Sequence, residues 1–229
     1  MTFSICVYDP DTGQVGVGAL TATLGVGKLV SHATACVGAA ATHATTNPYL
    51  ALDALELIST GHSAQEALDA VIAKDDGREH RQVGIIDTLG RTASWTGSKT
   101  QGWAGHLTRG TAIAQSNRLV GPETLEATLD AYWAHEDLDL AHRLLRALEA
   151  GEATGGDKEG TVSGNITVMD TEAYPLWDVR VDMAEDPVAE LRKLVEEFDQ
   201  EFLPMIQKLS TRQDYVGQLT REAMAQDQN

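Results

Sequence analysis

The sequence contains little positive charge. Its 229 residues include 17 lysines and arginines against 34 aspartates and glutamates, which gives a formal net charge of -17. Such an acidic chain repels the phosphates of nucleic acids and the anionic surface of a membrane. We therefore expect neither nucleic acid nor a membrane among its partners.

Long apolar runs are also missing. No stretch of about twenty apolar residues, the length that crosses a bilayer, occurs in the sequence. The first residues do not combine a basic segment with an apolar core, which a secretory signal requires. These two absences predict a cytoplasmic protein.

Metal-binding and redox patterns are scarce. The two cysteines, Cys6 and Cys36, lie in separate strand-like apolar segments, which indicates buried thiols rather than a metal site or a redox pair. A metal hydrolase is the weakest alternative, because its candidate ligands form no pair on one helical face. These candidates are His43, His62, His80 and His106. We expect no metal and no organic cofactor.

Strand-like and helical patterns occur in alternating pairs. Turn residues separate alternating apolar runs, which predicts two β-hairpins, over residues 2–20 and 81–96. Helical spacing predicts one helix pair from 49 to 74 and a second pair from 122 to 150. The other predicted elements are strands at 33–41, 111–115, 161–169 and 177–181, and helices from Pro187 onward.

The order of these elements predicts an α+β fold. Antiparallel hairpins that alternate with paired helices fit a four-layer αββα sandwich, in which two antiparallel sheets pack face to face with helices outside. A doubly wound parallel fold would need strands and helices to alternate singly. We assign residues 1–186 to this domain and residues 187–229 to a C-terminal helical extension packed on it. We expect the extension to support a homodimer or a higher homo-oligomer.

The first predicted strand, residues 2–8, begins at a threonine. If Met1 is removed, Thr2 carries both a hydroxyl and a free α-amine, which titrates near pH ~8 and can act as the base for that hydroxyl. The small side chain of Thr2 permits this removal, whereas a retained Met1 would block the amine. The competing interpretation is that Thr2 merely starts an edge strand.

Several positions at predicted strand ends allow two interpretations. His43 is either a site residue or a hydrogen-bonded, half-buried histidine, and Asn47, which precedes a proline, is best explained as a helix N-cap. Trp103 and His106 lie in a predicted loop that suits a small-molecule pocket, but a lid packed on the core would have the same pattern. The glycine-rich run at 155–157 forms either an anion nest or a mobile connection.

Several short motifs together resemble the bacterial and archaeal family called domain of unknown function 1028. They are TFSI at 2–5, DPDTG at 9–13, GAAAT at 38–42 with NP at 47–48, RQVG at 81–84, WAGH at 103–106, QSN at 115–117 with Gly121, and GGD at 155–157. That family resembles the Ntn hydrolases, which use a terminal Thr, Ser or Cys in an αββα sandwich to cleave amide bonds.

The resemblance implies a hydrolase without a cofactor that cleaves a C–N bond of a small-molecule amide, such as a cyclic or ureido compound. Thr2 would be the nucleophile, Asn117 would stabilise the oxyanion, and Asp157 would orient the amine. The residues assigned to substrate binding are His43, Arg81, Trp103, His106, Ser116 and Gly156. The alternative function is a non-catalytic small-molecule binding or assembly protein on the same scaffold.

The sequence departs from the family pattern near the expected site. Thr21 and Ala22 stand where the family has a serine followed by Lys or Arg, and His43 stands where it has a glutamine. The run at 159–164 also differs. A cation beside the nucleophile helps to keep the amine of an Ntn site neutral, and Lys28 is the nearest candidate in the sequence.

Overall fold

The computed structural model describes residues 2–155 and 160–226. Within these residues, ten strands form two sheets: β1 (Thr2–Tyr8), β2 (Val15–Thr21), β3 (Ser31–Thr34), β4 (Gly38–Ala44), β5 (Arg81–Asp87), β6 (Thr92–Thr96), β7 (Trp103–Arg109), β8 (Ala112–Leu119), β9 (Ser163–Met169) and β10 (Trp177–Val181). The large sheet has the order β10-β9-β2-β1-β8-β7, and the small sheet has the order β3-β4-β5-β6. All neighbouring strands are antiparallel.

The helices follow the strands mostly in pairs. They are α1 (Val26–Leu29), α2 (Tyr49–Ser59), α3 (Ala64–Lys74), α4 (Glu123–Ala134), α5 (Leu140–Ala153), α6 (Pro187–Glu197), α7 (Leu203–Ile206) and α8 (Gly217–Gln226), with a 3₁₀ turn (Arg78–His80) and a π-helical turn (Phe198–Phe202). Ser63 and Glu66 form a reciprocal capping box at the start of α3. In the part of the chain that the structure describes, no helix has the length and apolar character needed to cross a membrane.

Three apolar clusters hold the elements together. One lies between the large sheet and helices α4, α5 and α6, and it includes Phe3 and Leu144. A second, which includes Ile85, lies between the small sheet and helices α2 and α3. The third contains residues from both sheets, such as Val17 and Ile86, so the sheets pack against each other. The predicted α+β fold with two antiparallel sheets and helices is therefore confirmed.

Two glycines in β2 let helix α5 approach the large sheet. A Cβ atom added at Gly16 would lie 2.9 Å from Leu144 Cδ1, and one added at Gly18 would lie 3.2 Å from Leu148 Cδ1. Because the leucines of the helix already occupy this space, larger residues would push the helix away. The small residues of the second strand thus have a packing role on its helix-facing side.

Three local expectations differ from the structure. The strand predicted at 33–41 is two strands, β3 and β4, joined by a tight turn in which Cys36 has a φ of 59°. Cys36 is exposed in this turn rather than buried, whereas Cys6 is buried as expected. The loop predicted around Trp103 is strand β7, because its backbone pairs with β8.

The chain beyond residue 186 packs partly on the large sheet. Helix α6 buries Leu191 and Val195 in the cluster beneath that sheet. Phe198 stacks on Trp177 of β10, with ring centroids 4.7 Å apart. Helix α8, by contrast, is largely exposed. The first part of the C-terminal segment is thus anchored by apolar and aromatic contacts, and the last part is not.

Candidate functional site

Thr2 is the first residue of β1, which lies between β2 and β8 in the large sheet. Its backbone pairs with Thr21 of β2 on one side and with Asn117 of β8 on the other. Residues directly opposite each other on antiparallel strands share a face, with Cβ atoms about 4.5–5.5 Å apart. The hydroxyl oxygens of Thr2 and Thr21 are 2.8 Å apart and share a hydrogen bond. The three side chains therefore form a polar row.

This polar row faces the small sheet. On β1, Ile5 belongs to the cluster under the helices, whereas Cys6 belongs to the cluster between the sheets. Because side chains alternate along a strand, Thr2 lies on the same face as Cys6. On β8, Ile113 lies between the sheets, and the same alternation places Asn117 there.

A cavity of about 310 Å³ opens at the row. Its volume is at the lower end of the range for small-molecule sites, about 300–1,000 Å³. Its walls come from the ends of β2, β4 and β8 and from the segment between β6 and β7. Besides Thr2 and Asn117, the lining contains several hydroxyl side chains, namely Thr23, Thr45, Thr46 and Thr100.

The cavity wall also carries basic groups. His80, Lys99 and Arg118 line it, and no aspartate or glutamate of the described residues does so. All three side chains belong to exposed residues. The lining of the cavity is therefore basic, in contrast to the strongly acidic chain as a whole.

Two lining residues have an unusual backbone conformation. Ala44 has a φ of 67° and Arg118 a φ of 59°, in the left-handed region that few residues other than glycine adopt. The backbone nitrogen of Arg118 donates to Gln101 O at 2.9 Å. A Cβ atom at Gly102 would lie 2.8 Å from Arg118 Cα, so only glycine allows this close approach. Strained conformations of this kind are concentrated at functional sites.

Gln82 connects the two sheets behind the cavity. Its Oε1 accepts a hydrogen bond from Asn117 Nδ2 at 3.2 Å. Its Nε2 lies 3.1 Å from Thr96 Oγ1, 3.1 Å from Gly105 O and 2.9 Å from Ser116 O. These contacts fix the orientation of the Asn117 amide, and they leave its second Nδ2 proton for another acceptor.

His43 lies between the sheets, next to Gln82. The two residues are partners in the register of β4 and β5, and both are completely buried. Burial lowers the pKa of the His43 ring to about 3, and the neighbouring Gln82 amide raises it only in part. Neither ring nitrogen has a partner of good hydrogen-bonding geometry among the described residues. His43 is therefore neutral near pH 7, and it is not part of the cavity lining.

Two predicted site residues support the site from behind. Arg81 Nε donates to Asp75 Oδ2 at 2.8 Å, and its guanidinium also donates to the carbonyl of Thr45 in the cavity wall. The Arg81 guanidinium holds the pKa of Asp75 below its ordinary value. Ser116 Oγ donates to Thr2 O at 2.9 Å. Neither Arg81 nor Ser116 is part of the cavity lining.

The other predicted residues lie elsewhere. Trp103 packs against the cluster under the helices of the large sheet. His106 is exposed, and its Nδ1 lies 3.5 Å from Thr96 Oγ1. Neither of them lines the Thr2 cavity. Gly156 and Asp157 fall outside the residues that the structure describes.

The cations of the cavity differ from the one expected. Lys28 Nζ forms an ion pair with Asp182 Oδ2 at 2.6 Å and is not part of the lining. Lys99 and Arg118 line the cavity instead. The sequence gives no signal for Lys99, which lies in a polar turn. Lys99 is thus a candidate residue that only the folded structure reveals, whereas Thr21 stands out in the sequence without a role, and the structure gives it a hydrogen bond to Thr2.

The histidines considered as metal ligands are spread over the molecule. Residues 2–155 and 160–226 contain no group of three or more His, Cys, Asp or Glu side chains that could hold a metal ion. The four histidines lie between the sheets, after α2, at the cavity and on β7, and they are His43, His62, His80 and His106. Nothing in their placement brings them to one centre.

Comparison with known proteins gives a family but no activity. A family model described as "Family of unknown function (DUF1028)" matches residues 2–191. The crystal structure of a DUF1028 protein from Silicibacter pomeroyi is similar with a TM-score of 0.86 at 28% identity, over 94% of this chain and 98% of that chain. Anbu (ancestral beta-subunit) from Yersinia bercovieri has a TM-score of 0.40 at 11% identity, over 86% of this chain and 97% of that chain.

The similarity to Anbu is too weak to support an inference. No curated protein matches the chain. The family match, by contrast, extends over most of the sequence. The resemblance found in the motifs is thereby confirmed, and the chain belongs to DUF1028, a family of unknown function.

Proposed function

We propose that this protein is an N-terminal-nucleophile hydrolase that cleaves a C–N bond of a small amide, such as a cyclic or ureido compound, without a cofactor. The placement of Thr2 carries the proposal. Its hydroxyl lies at the wall of a cavity, 2.8 Å from the Thr21 hydroxyl, and Asn117 flanks it on the other strand. A nucleophile and an amide donor thus lie side by side where a carbonyl group can enter.

The proposed architecture is the four-layer αββα sandwich of the Ntn hydrolases. The three apolar clusters support it, since one lies between the sheets and one lies on the outer face of each sheet. We place residues 1–186 in this domain and residues 187–229 in a C-terminal helical extension. Burial of Leu191 and Val195 under the large sheet supports packing of the extension on the same domain.

In the first step, the α-amine that is freed by loss of Met1 accepts the proton of the Thr2 hydroxyl. Thr2 Oγ1 attacks the carbonyl carbon of the amide and forms a tetrahedral intermediate. The intermediate expels the amine of the substrate, which takes the proton from the α-ammonium group. The C–N bond is then broken, and the acyl group is held as an ester on Thr2.

In the second step, a water molecule attacks the ester carbonyl, and the same α-amine accepts its proton. The ester bond breaks, the proton returns to the Thr2 oxygen, and a carboxylic acid leaves. The net reaction adds one water to the amide and yields one carboxylic acid and one amine.

Asn117 is the proposed oxyanion donor. One Nδ2 proton is directed to Gln82 Oε1 at 3.2 Å, and the second is available to the negative charge that develops on the substrate oxygen. In the proposal, backbone amides near Gly156 assist Asn117, and the Asp157 carboxylate orients the α-amine.

The remaining candidates have supporting roles in this proposal. Arg81, Ser116 and His43 act as positioning residues, because they lie behind the cavity wall or between the sheets. Trp103 and His106 would contact only those parts of a substrate that extend beyond the cavity. Binding of a small-molecule amide therefore depends mainly on the residues that line the cavity.

The C-terminal extension suggests assembly as a second proposal. Tyr215 is 83% exposed, Met224 is 54% exposed and Leu219 is 37% exposed. Exposed large apolar side chains can mark protein contacts, and we propose that these support a homodimer or a higher homo-oligomer. A non-catalytic binding or assembly protein that retains Met1 is the alternative function.

Blocking the α-amine of Thr2 is expected to abolish amide hydrolysis. A lysine inserted between Met1 and Thr2 prevents removal of the methionine, because its side chain is large. The base is then lost, and turnover should fall by about a hundredfold or more. The measurement is amine release from a panel of small linear, cyclic and ureido amides, with the form that begins at Thr2 as reference.

Circular dichroism and thermal unfolding of the two forms should coincide, which separates a chemical effect from misfolding. Equal turnover by both forms would contradict the proposal. Ligand binding without turnover by the form that begins at Thr2 would favour the binding scaffold.

A further inference from the structure

We propose that Lys99 and Arg118 form an anion subsite in the Thr2 cavity, and that the substrates are small amides that carry a carboxylate, such as N-acyl or N-carbamoyl amino acids. The inference rests on the proposed function of Thr2 for the reaction. Binding of the carboxylate itself needs no catalysis.

The charge of the cavity contrasts with the charge of the chain. The formal net charge is -17, whereas Lys99, Arg118 and His80 line the cavity without any acidic residue of the described part of the chain. The field of an acidic protein repels anions over its whole surface. A local group of cations is therefore what an anionic ligand needs in order to bind here.

Among the described residues, neither cation has a carboxylate within ion-pairing distance, although the charge of Lys99 helps to lower the pKa of the nearby Glu79 carboxyl. Most lysines and arginines of the described residues form ion pairs within 4 Å, namely Lys28, Arg81, Arg91, Arg109, Arg143, Arg146, Arg180, Arg192, Lys208 and Arg221. Lys99 and Arg118 form no ion pair with any residue of 2–155 or 160–226. Because acidic groups outnumber basic ones two to one, two unpaired cations in one cavity indicate a place for an external anion.

The backbone brings the two cations to the same wall. Arg118 N donates to Gln101 O at 2.9 Å, and Lys99 N donates to Glu79 O at 2.8 Å. The segment that carries Lys99 is thus bonded to β8 on one side and to the 3₁₀ turn on the other. A wall held in this way needs little ordering when a ligand binds, which favours affinity.

The chemistry of the lining suits a carboxylate. A guanidinium group binds a planar carboxylate through two parallel hydrogen bonds. Hydroxyl groups of Thr23, Thr45 and Thr100 line the same cavity and can donate further hydrogen bonds. With the carboxylate at Arg118, the volume of about 310 Å³ leaves room for a short acyl or carbamoyl group toward Thr2.

Binding is best tested on the complete chain with Thr2→Ala, so that no turnover occurs. The probes are acetate, N-acetylglycine, N-carbamoylglycine, inorganic phosphate and the uncharged N-acetylglycinamide, and the readout is the shift of backbone amide resonances. We expect the carboxylates to shift the resonances of residues 99–101 and 117–118. We expect N-acetylglycinamide to bind at least about tenfold more weakly than N-acetylglycine, since it lacks the charge.

Charge-removing variants in the same background identify the subsite. Arg118→Gln should weaken binding of N-acetylglycine by about tenfold, and Lys99→Gln should weaken it by a smaller factor. Lys193→Gln is the matched control, because Lys193 is an exposed cation of α6 outside the cavity. It should leave the affinity unchanged.

Several results would overturn the inference, and three of them come from the binding measurements alone. They are equal binding of N-acetylglycine and N-acetylglycinamide, the absence of any carboxylate-dependent shift at the cavity, and binding of phosphate alone. Equal losses in Arg118→Gln and Lys193→Gln would also contradict it. If carboxylates bind but the wild-type chain that begins at Thr2 hydrolyses no amide, the subsite stands and the hydrolase proposal fails.

Discussion

Replacing Thr2 with alanine is expected to lower amide turnover by at least about a thousandfold, because the acyl group then has no oxygen to which it can be transferred. The substitution leaves the α-amine in place, so it separates the nucleophile from the base. Amine release at saturating substrate is the measurement. The same assay with the amine-blocked form removes the base and keeps the hydroxyl.

The fold should tolerate this substitution. Thr2 loses its hydrogen bond to the Thr21 hydroxyl, which stabilises the protein by about 1 kcal/mol, so the melting temperature should fall by about 2–4 °C. Thr2→Ser is the matched control, because it keeps both the hydroxyl and the amine, and it should retain measurable turnover. A Thr2→Ala protein as active as the wild type would remove Thr2 from the reaction.

Below pH 6.5 the protein is expected to lose stability, in large part through His43. The pKa of this ring is about 3 in the folded chain against an ordinary 6.5, because burial disfavours the charged ring. As the pH falls below 6.5, the unfolded chain binds a proton that the folded chain does not. The free energy of unfolding then falls by up to about 1.4 kcal/mol per pH unit, down to about pH 3. Above pH 6.5 the ring is neutral in both states and contributes no pH dependence.

His43→Gln should remove this part of the acid sensitivity. Glutamine does not titrate. The free energy of unfolding of the variant minus that of the wild type should therefore be about 2–3 kcal/mol larger at pH 4.5 than at pH 7.5. Urea unfolding at both pH values measures this difference. Asp75 and Asp139, whose pKa values are also lowered, are common to both proteins, so their contributions cancel.

His62→Gln provides the control for this measurement, because the His62 ring is exposed. Its pH profile of stability should follow that of the wild type. If the free energies of unfolding of the wild type and His43→Gln changed equally with pH, the His43 ring would contribute nothing to the acid sensitivity. That result would contradict a ring that is buried and neutral in the folded protein.

The features that depend on near neighbours in sequence could be predicted well. The capping box of Ser63 and Glu66 needs residues three apart, and it is formed. The hairpin of β1 and β2 needs a turn at 9–13, and it is formed as well. Paired hairpins and paired helices then sufficed to predict two antiparallel sheets with helices.

The site could be predicted only in part, because it depends on pairing between distant strands. Thr2 could be singled out from its chemistry, and Asn117 only through the family resemblance. That the two residues lie opposite each other follows from the register of β1 with β8, which no local pattern specifies. Thr21 reaches Thr2 through the register of the first hairpin. Lys99 reaches the cavity only because its segment is bonded to neighbouring elements.

The position of His43 illustrates why the sequence does not predict which side of the small sheet each side chain of β4 points to. Ala39, Ala40 and Ala41 are all fully buried, since one face of β4 packs on the other sheet and the opposite face packs on helices. A strand that is buried on both faces has no alternation between apolar and polar residues. The sequence therefore does not show whether the ring points to the cavity, to the helices or between the sheets.

The mass of the N-terminal peptide, measured on the untagged protein after expression with its own start, shows whether Thr2 can act as its own base. We expect a peptide that begins at Thr2 with a free amine, in a preparation that hydrolyses small amides. An active preparation that uniformly retains Met1 would exclude the proposed mechanism, because the α-amine of Thr2 would then be part of a peptide bond and could not act as the base.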